Sequence, residues 1–229
     1  MIAYYVILGV FTLIGMGVSS RLKSKFEHYS KFGTRSGLSG AEIAMTMLRH
    51  YNIHDVKVVE GQGYLSDHYN PQTKTVALSP AVFHGRSISA AAVASHECGH
   101  AVQHATAYSM LTLRSNLVPV VQFSSQIQQF LFMAAIFGIG AGIGGGILMI
   151  VLTVTFGVTA LFSLITLPVE FDASKRALVW LDQSGVAVNQ EYDGAKDALW
   201  WAAMTYVAQA LGALVMFLYF LLSFLGRED

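Results

Sequence analysis

Residues 90–105 read AAAVASHECGHAVQHA and contain His96-Glu97-Cys98-Gly99-His100, the order H-E-x-x-H, with His104 one turn further on. On a helix, residues four apart share a face, so His96 and His100 can turn both imidazoles toward one ion. Imidazole suits Zn²⁺. Glu97 follows the first ligand, where a carboxylate can take a proton from water and pass it to a leaving amine. Gly99 removes a side chain between the ligands, so another element can pack closely there. By the 100° helical step the single cysteine, Cys98, faces the opposite side and reads as a small buried apolar residue. One cysteine also excludes an intramolecular disulfide. A pentapeptide this short also occurs by chance, but small uncharged flanks and a third ligand elsewhere in the chain favour the metal.

Catalytic zinc takes three protein ligands and leaves one position for water. His104 is the near candidate, but on a straight helix it lies about 12 Å from His96, too far to share an ion with it. The pattern H-E-x-x-H-x-x-G-x-x-H also fails, because Gln103 and Thr106 stand at its last two positions. His104 therefore reads as supporting, substrate-facing or solvated. The far candidate is Glu170, in TLPVEFDASKRAL. With it, His96, His100 and Glu170 make a His₂Glu set with Glu97 as base, the thermolysin-type solution. Asp172 either orients a ligating histidine through its ring N–H or is a carboxylate favoured near a helix N-terminus. Without a metal, Glu170 is an ordinary carboxylate at a membrane boundary.

The elements that must position these residues lie among apolar stretches. The 229-residue chain is 54% hydrophobic and 12% charged, about half the usual charged share. No Asp, Glu, Lys or Arg occurs from Ser115 to Val169, a length that suits two spanning helices and a short turn. The sequence predicts spans at 1–19, within 118–168 (a hairpin turning in the glycine-rich run 138–146) and at 201–226, four in all. Basic residues follow the first apolar stretch instead of preceding it, so it reads as a retained span and not a signal peptide. Its Gly9, Gly15 and Gly17 suggest close helix packing. Pro168 is read as a helix break. Segments 20–117 and 169–200 become one catalytic side, holding 13 of the 14 Lys and Arg residues. The positive-inside rule places that side in the cytoplasm and both termini outside. The expected fold is mainly α: a four-span helical membrane protein with a small α+β cytoplasmic catalytic unit.

Within that unit, Ser39-Gly-Ala-Glu42 has the form of a capping box, and Ser87 or Ser89 caps the helix over 90–106. DVKVVEGQGYLSDHYNPQTKTVALSP predicts two short strands around the Asn70-Pro71 turn. Arg114 reads as a membrane-boundary anchor or a clamp for a substrate carboxylate.

Four pieces, LSDHYNPQTKTVALSP, GRSISAAAVASHECGHAVQHA, LRSNLVPV and LPVEFDASKRAL, occur in this order. In them the chain resembles the YugP-like family of bacterial membrane zinc metallopeptidases, from about Lys23 to Ala210. The resemblance implies a multi-pass plasma-membrane zinc peptidase with His96 and His100 as ligands and Glu97 as catalytic base. The chain is also distantly similar to the HtpX and CAAX prenyl proteases, whose ligand glutamate begins E-x-x-A-D. Here Ser174 occupies the Asp position, and Asp172 is the expected substitute. In gluzincin-type sites of this kind a strand beside the metal helix pairs with the substrate backbone. TKTVALSP, residues 73–80, is the expected edge, with His68 or Tyr69 donating a hydrogen bond to the oxyanion.

The resulting expectation is hydrolysis of membrane or membrane-proximal proteins, with Zn²⁺ as cofactor, the bilayer as environment, a membrane-protein partner or oligomer open, and no nucleic acid. Two other readings remain. One is a non-hydrolytic scaffold in which zinc staples the spans. The other is a transporter, with Gln126, Gln128 and Gln129 lining a path.

Overall fold

The computed structural model describes residues 2–136 and 145–226. They form α1 (Ile2–Tyr29), α2 (Gly40–His50), β1 (Lys57–Glu60), β2 (His68–Asn70), β3 (Thr75–Leu78), α3 (Pro80–Phe83), α4 (Ile88–Ala105), α5 (Ser109–Ile136), α6 (Gly145–Gln183) and α7 (Gln190–Leu225). The chain divides into two compact units. One holds Met1–Gly17, Leu113–Leu167 and Thr205–Asp229, and the other holds Val18–Thr112 and Pro168–Met204.

The first unit is built from helical segments. Among the described residues three helices are long and apolar enough to cross a membrane: α1, α6 and α7. Four spans were expected from the sequence, so this corrects the count. Helix α5 is the one that falls short, because Gln122, Ser124, Ser125, Gln126, Gln128 and Gln129 interrupt its apolar run. Some of this polarity is satisfied inside the unit: Gln128 Nε2 donates to Thr159 Oγ1 at 3.3 Å, while Gln126 and Gln129 are exposed. The turn expected in the glycine-rich run falls mostly on residues 137–144, outside the described residues. The expected close packing at Gly9, Gly15 and Gly17 is not found, since nothing lies within 4 Å of where their Cβ atoms would be. Pro168 does not break the chain's helix either. Helix α6 continues through it, because proline removes a single helical donor while the neighbouring bonds persist.

The second unit packs helices against a three-stranded sheet. The capping box at Ser39 is complete: Ser39 Oγ accepts from the Glu42 N–H, and Glu42 Oε2 accepts from the Ser39 N–H at 2.7 Å. Ser87 caps α4, its hydroxyl oxygen accepting from the Ala90 N–H at 3.3 Å. The sheet order is β1-β3-β2, with β1 parallel and β2 antiparallel to β3. The β2–β3 hairpin turns where the Asn70-Pro71 turn was expected, but three strands form where two were expected, with β1 on the other side of β3. The presence of β1 makes β3 the central strand and takes away the free edge expected of residues 73–80. Ile43, Met47, Val76, Leu78, Val82, Val102, Trp180 and Leu181 are fully or almost fully buried in one core. That core fixes α4 between α2, the sheet and the 168–204 segment.

Candidate metal centre

Helix α4 is small on the faces it buries. Ala90, Ala91, Ala92, Ala94, Ala101 and Cys98 are at most 1% exposed, which lets neighbouring backbones approach closely. Burial also pushes the Cys98 thiol well above its ordinary range, and its S–H faces the Ala44 carbonyl oxygen at 3.6 Å. Cys98 is thus a packing residue pointing into the core, away from ligand duty.

The closest approach is at Gly99. A Cβ there would stand 2.5 Å from the backbone oxygen of Ala173. Ala173 lies between Glu170 and Ser174 on α6, so this contact sets one turn of α6 directly against the H-E-x-x-H turn of α4. His96 Nε2 is then 3.4 Å from Glu170 Oε2, and His100 Nε2 is 3.5 Å from the same oxygen. The three ligand atoms lie within 4.8 Å of one another. All three side chains are buried, Glu170 to 2% exposure. Two imidazole nitrogens and one carboxylate oxygen converging in this way fit a divalent ion such as zinc. Glu97, which follows His96 in the chain, is buried too.

Each histidine is held from behind. Ser174 Oγ lies 3.1 Å from His96 Nδ1. Gln103 Oε1 lies 3.0 Å from His100 Nδ1. The Gln103 amide in turn donates to the Val169 carbonyl oxygen and to Asp172 Oδ2, both at 2.8 Å. Arg176 Nε donates to the same Asp172 oxygen at 2.6 Å, and its guanidinium stands over the Tyr108 ring. Burial pushes the His100 ring down, but bonding to Glu170, the charges of Glu170 and Glu97, and Gln103 outweigh it, so its pKa is raised.

Some expected site residues fall elsewhere. Asp172 does not touch a histidine; it acts one residue further back, on Gln103. Ser174, the departure from the E-x-x-A-D pattern, is the direct partner of His96. Gln103 was missed, and the available signal was a polar residue three positions after His100 on the buried face of an alanine-rich helix. His104 is not among the clustered ligands. Its Nδ1 lies 2.7 Å from Tyr69 Oη. Burial and the Asp55 carboxylate push the Tyr69 phenol up to about 12. Successive strand residues face opposite ways, so His68 points away from α4. It is exposed, its Nδ1 is 2.9 Å from the Ser66 carbonyl oxygen, and it is not brought to the ligands. Asp67 accepts from the Ser79 N–H at 2.7 Å and the Ser79 hydroxyl at 3.1 Å, tying its loop to the end of β3. Arg114 stands over the Phe162 ring.

A family model described as "Putative neutral zinc metallopeptidase" matches residues 4–225. The chain is 43% identical over 223 residues, 95% of its own length and 96% of the relative's, to the "Putative membrane protease YugP" of Bacillus subtilis (strain 168). No solved structure matches it.

Proposed function

Because the chain belongs to this neutral zinc metallopeptidase family, we propose that it hydrolyses peptide bonds in membrane or membrane-proximal proteins, acting as a zinc metalloendopeptidase. The observation that carries the reading is the convergence of His96, His100 and Glu170 beside Glu97. Zinc is the family's metal, and the buried His₂Glu set fits it.

What a bound zinc contributes is Lewis-acid polarisation of the scissile carbonyl and of water. The chain's own residues do the rest. His96, His100 and Glu170 would hold the ion, with Ser174 and Gln103 fixing the two rings. Glu97 accepts a proton as water attacks and delivers it to the departing amine nitrogen, so it ends the cycle ionised again. The substrate backbone pairs with β2, which has β3 on one side only and packs near α4. This replaces β3 as the docking edge.

Three apolar helices support a membrane location. The two halves of the metal site share one compact unit, Val18–Thr112 and Pro168–Met204. That unit carries 12 of the 14 Lys and Arg residues, which favours the cytoplasmic face of a bacterial plasma membrane. A substrate tethered to the bilayer is thereby delivered to the site at high local concentration.

The test is cleavage by the full-length protein in detergent or liposomes. Chelation should abolish cleavage and zinc restore it, with a membrane-tethered peptide cut faster than the same peptide free. Metal-independent cleavage, or none at all with zinc bound, sinks the peptidase reading and leaves a zinc-stapled scaffold. Equal rates on free and tethered peptides sink the membrane preference alone.

A further inference from the structure

Gln103 is fully buried, and its amide has no freedom of assignment. Nε2 lies 2.8 Å from the Val169 carbonyl oxygen and 2.8 Å from Asp172 Oδ2. A carbonyl and a carboxylate only accept, so the end facing them is the NH₂ group. The end facing His100, 3.0 Å from Nδ1, is therefore the carbonyl. An amide oxygen also only accepts, so His100 Nδ1 must carry a hydrogen. Glu170 Oε2, 3.5 Å from Nε2, is also an acceptor and competes for the ring's hydrogen. The Gln103 oxygen is nearer at 3.0 Å, so in the neutral ring the hydrogen stays on Nδ1 and Nε2 is left for a metal.

His96 is supported differently. Its Nδ1 meets the Ser174 hydroxyl, which either donates or accepts and so does not choose a tautomer. The choice at His100 is enforced through three residues. Arg176 holds Asp172 at 2.6 Å, Asp172 and the Val169 carbonyl hold the Gln103 amide, and the amide holds the ring. Flipping that amide would aim its oxygen at two other acceptors in a buried site, leaving polar groups unsatisfied at full desolvation cost.

We propose that Gln103 is a positioning residue that locks His100 in its Nδ1–H tautomer, and that the Asp172–Arg176 pair keeps the Gln103 amide from flipping. The purpose of the lock rests on the zinc-peptidase reading. Its existence does not, because the lock is present in the metal-free protein.

The test reads ring ¹⁵N chemical shifts of full-length protein in detergent micelles, metal-free, at a pH where the rings are neutral, with His100 assigned from the spectrum of His100→Asn. The wild-type ring is expected wholly as Nδ1–H. Gln103→Met keeps the volume but removes the amide; it should show an Nε2–H population and about a ten- to hundredfold loss of zinc affinity in chelator competition. Ser174→Ala should leave the His100 tautomer unchanged. An Nε2–H ring in wild type overturns the proposal, and this needs no variant to fold. So does a pure Nδ1–H ring in Gln103→Met, or a shifted tautomer with zinc affinity unchanged. Failure of the peptidase reading looks different: zinc or cleavage is absent from wild type while its tautomer is as stated.

Discussion

Gly99 and Ala173 touch main chain to main chain, so closely that a methyl on Gly99 would sit 2.5 Å from the Ala173 carbonyl oxygen. Neither atom belongs to a flexible side-chain end, so Gly99→Ala must push α6 away from α4. The expected result is a loss of about 1–3 kcal/mol of stability and a collapse of zinc affinity, because Glu170 moves with Ala173. A thermal melt and a zinc titration check this; a variant binding zinc like wild type would show that the contact does not set the site.

Glu97 is buried and follows His96 directly in the chain, and it is proposed as the base and not a ligand. Glu97→Gln should retain zinc while losing peptide hydrolysis by about 10²–10⁴-fold, the range for a removed general acid–base. Loss of metal together with activity would mean that Glu97 is a structural part of the cluster. Retained activity would remove it from the mechanism.

How much of this was legible in the sequence depends on distance along the chain. His96, Glu97 and His100 are local, since the i, i+4 spacing makes one helical face from five residues. Glu170 lies 70 positions on, and was found because zinc chemistry demands a third ligand on the same side. Gln103 escaped notice because a glutamine carries no periodic signal, and its partners Val169 and Asp172 are 66 and 69 residues away. Ser174 looked like a defect in a borrowed pattern until the fold showed its hydroxyl reaching His96. The strands β1 and β3 are only four residues long, so alternation could not reveal that β1 pairs parallel to β3. The span count failed at α5 because the absence of charge was read as apolarity, although glutamine and serine also interrupt a hydrophobic run.

Asp67 gives a pH dependence with a definite sign. Burial raises its pKa above the ordinary carboxylate value, against the bonds from Ser79 that lower it. A raised folded-state pKa stabilises the fold below the unfolded pKa, and this contribution is lost as pH rises through the folded value. At neutral pH the ionised carboxylate therefore costs stability. Asp67→Asn keeps an oxygen for the Ser79 N–H and offers an N–H to the Ser79 hydroxyl. The variant should melt higher than wild type near pH 7, with the gain shrinking toward about pH 4. A gain that grows on acidification would reverse the assignment.

Sidedness can be read with one introduced thiol, because the native Cys98 is 0% exposed and should stay silent. His54→Cys lies on the exposed surface of the catalytic unit. In intact cells it should resist a membrane-impermeant maleimide and react once the membrane is opened. Labelling of intact cells would place the catalytic unit outside.

His96, His100 and Glu170, and not His104, are expected to hold the metal. Zinc content per chain, measured by mass spectrometry on purified wild type, Glu170→Ala and His104→Ala, tests it most directly. One zinc is expected in wild type, one in His104→Ala and a substoichiometric trace in Glu170→Ala. Full zinc in Glu170→Ala together with its loss in His104→Ala would contradict it.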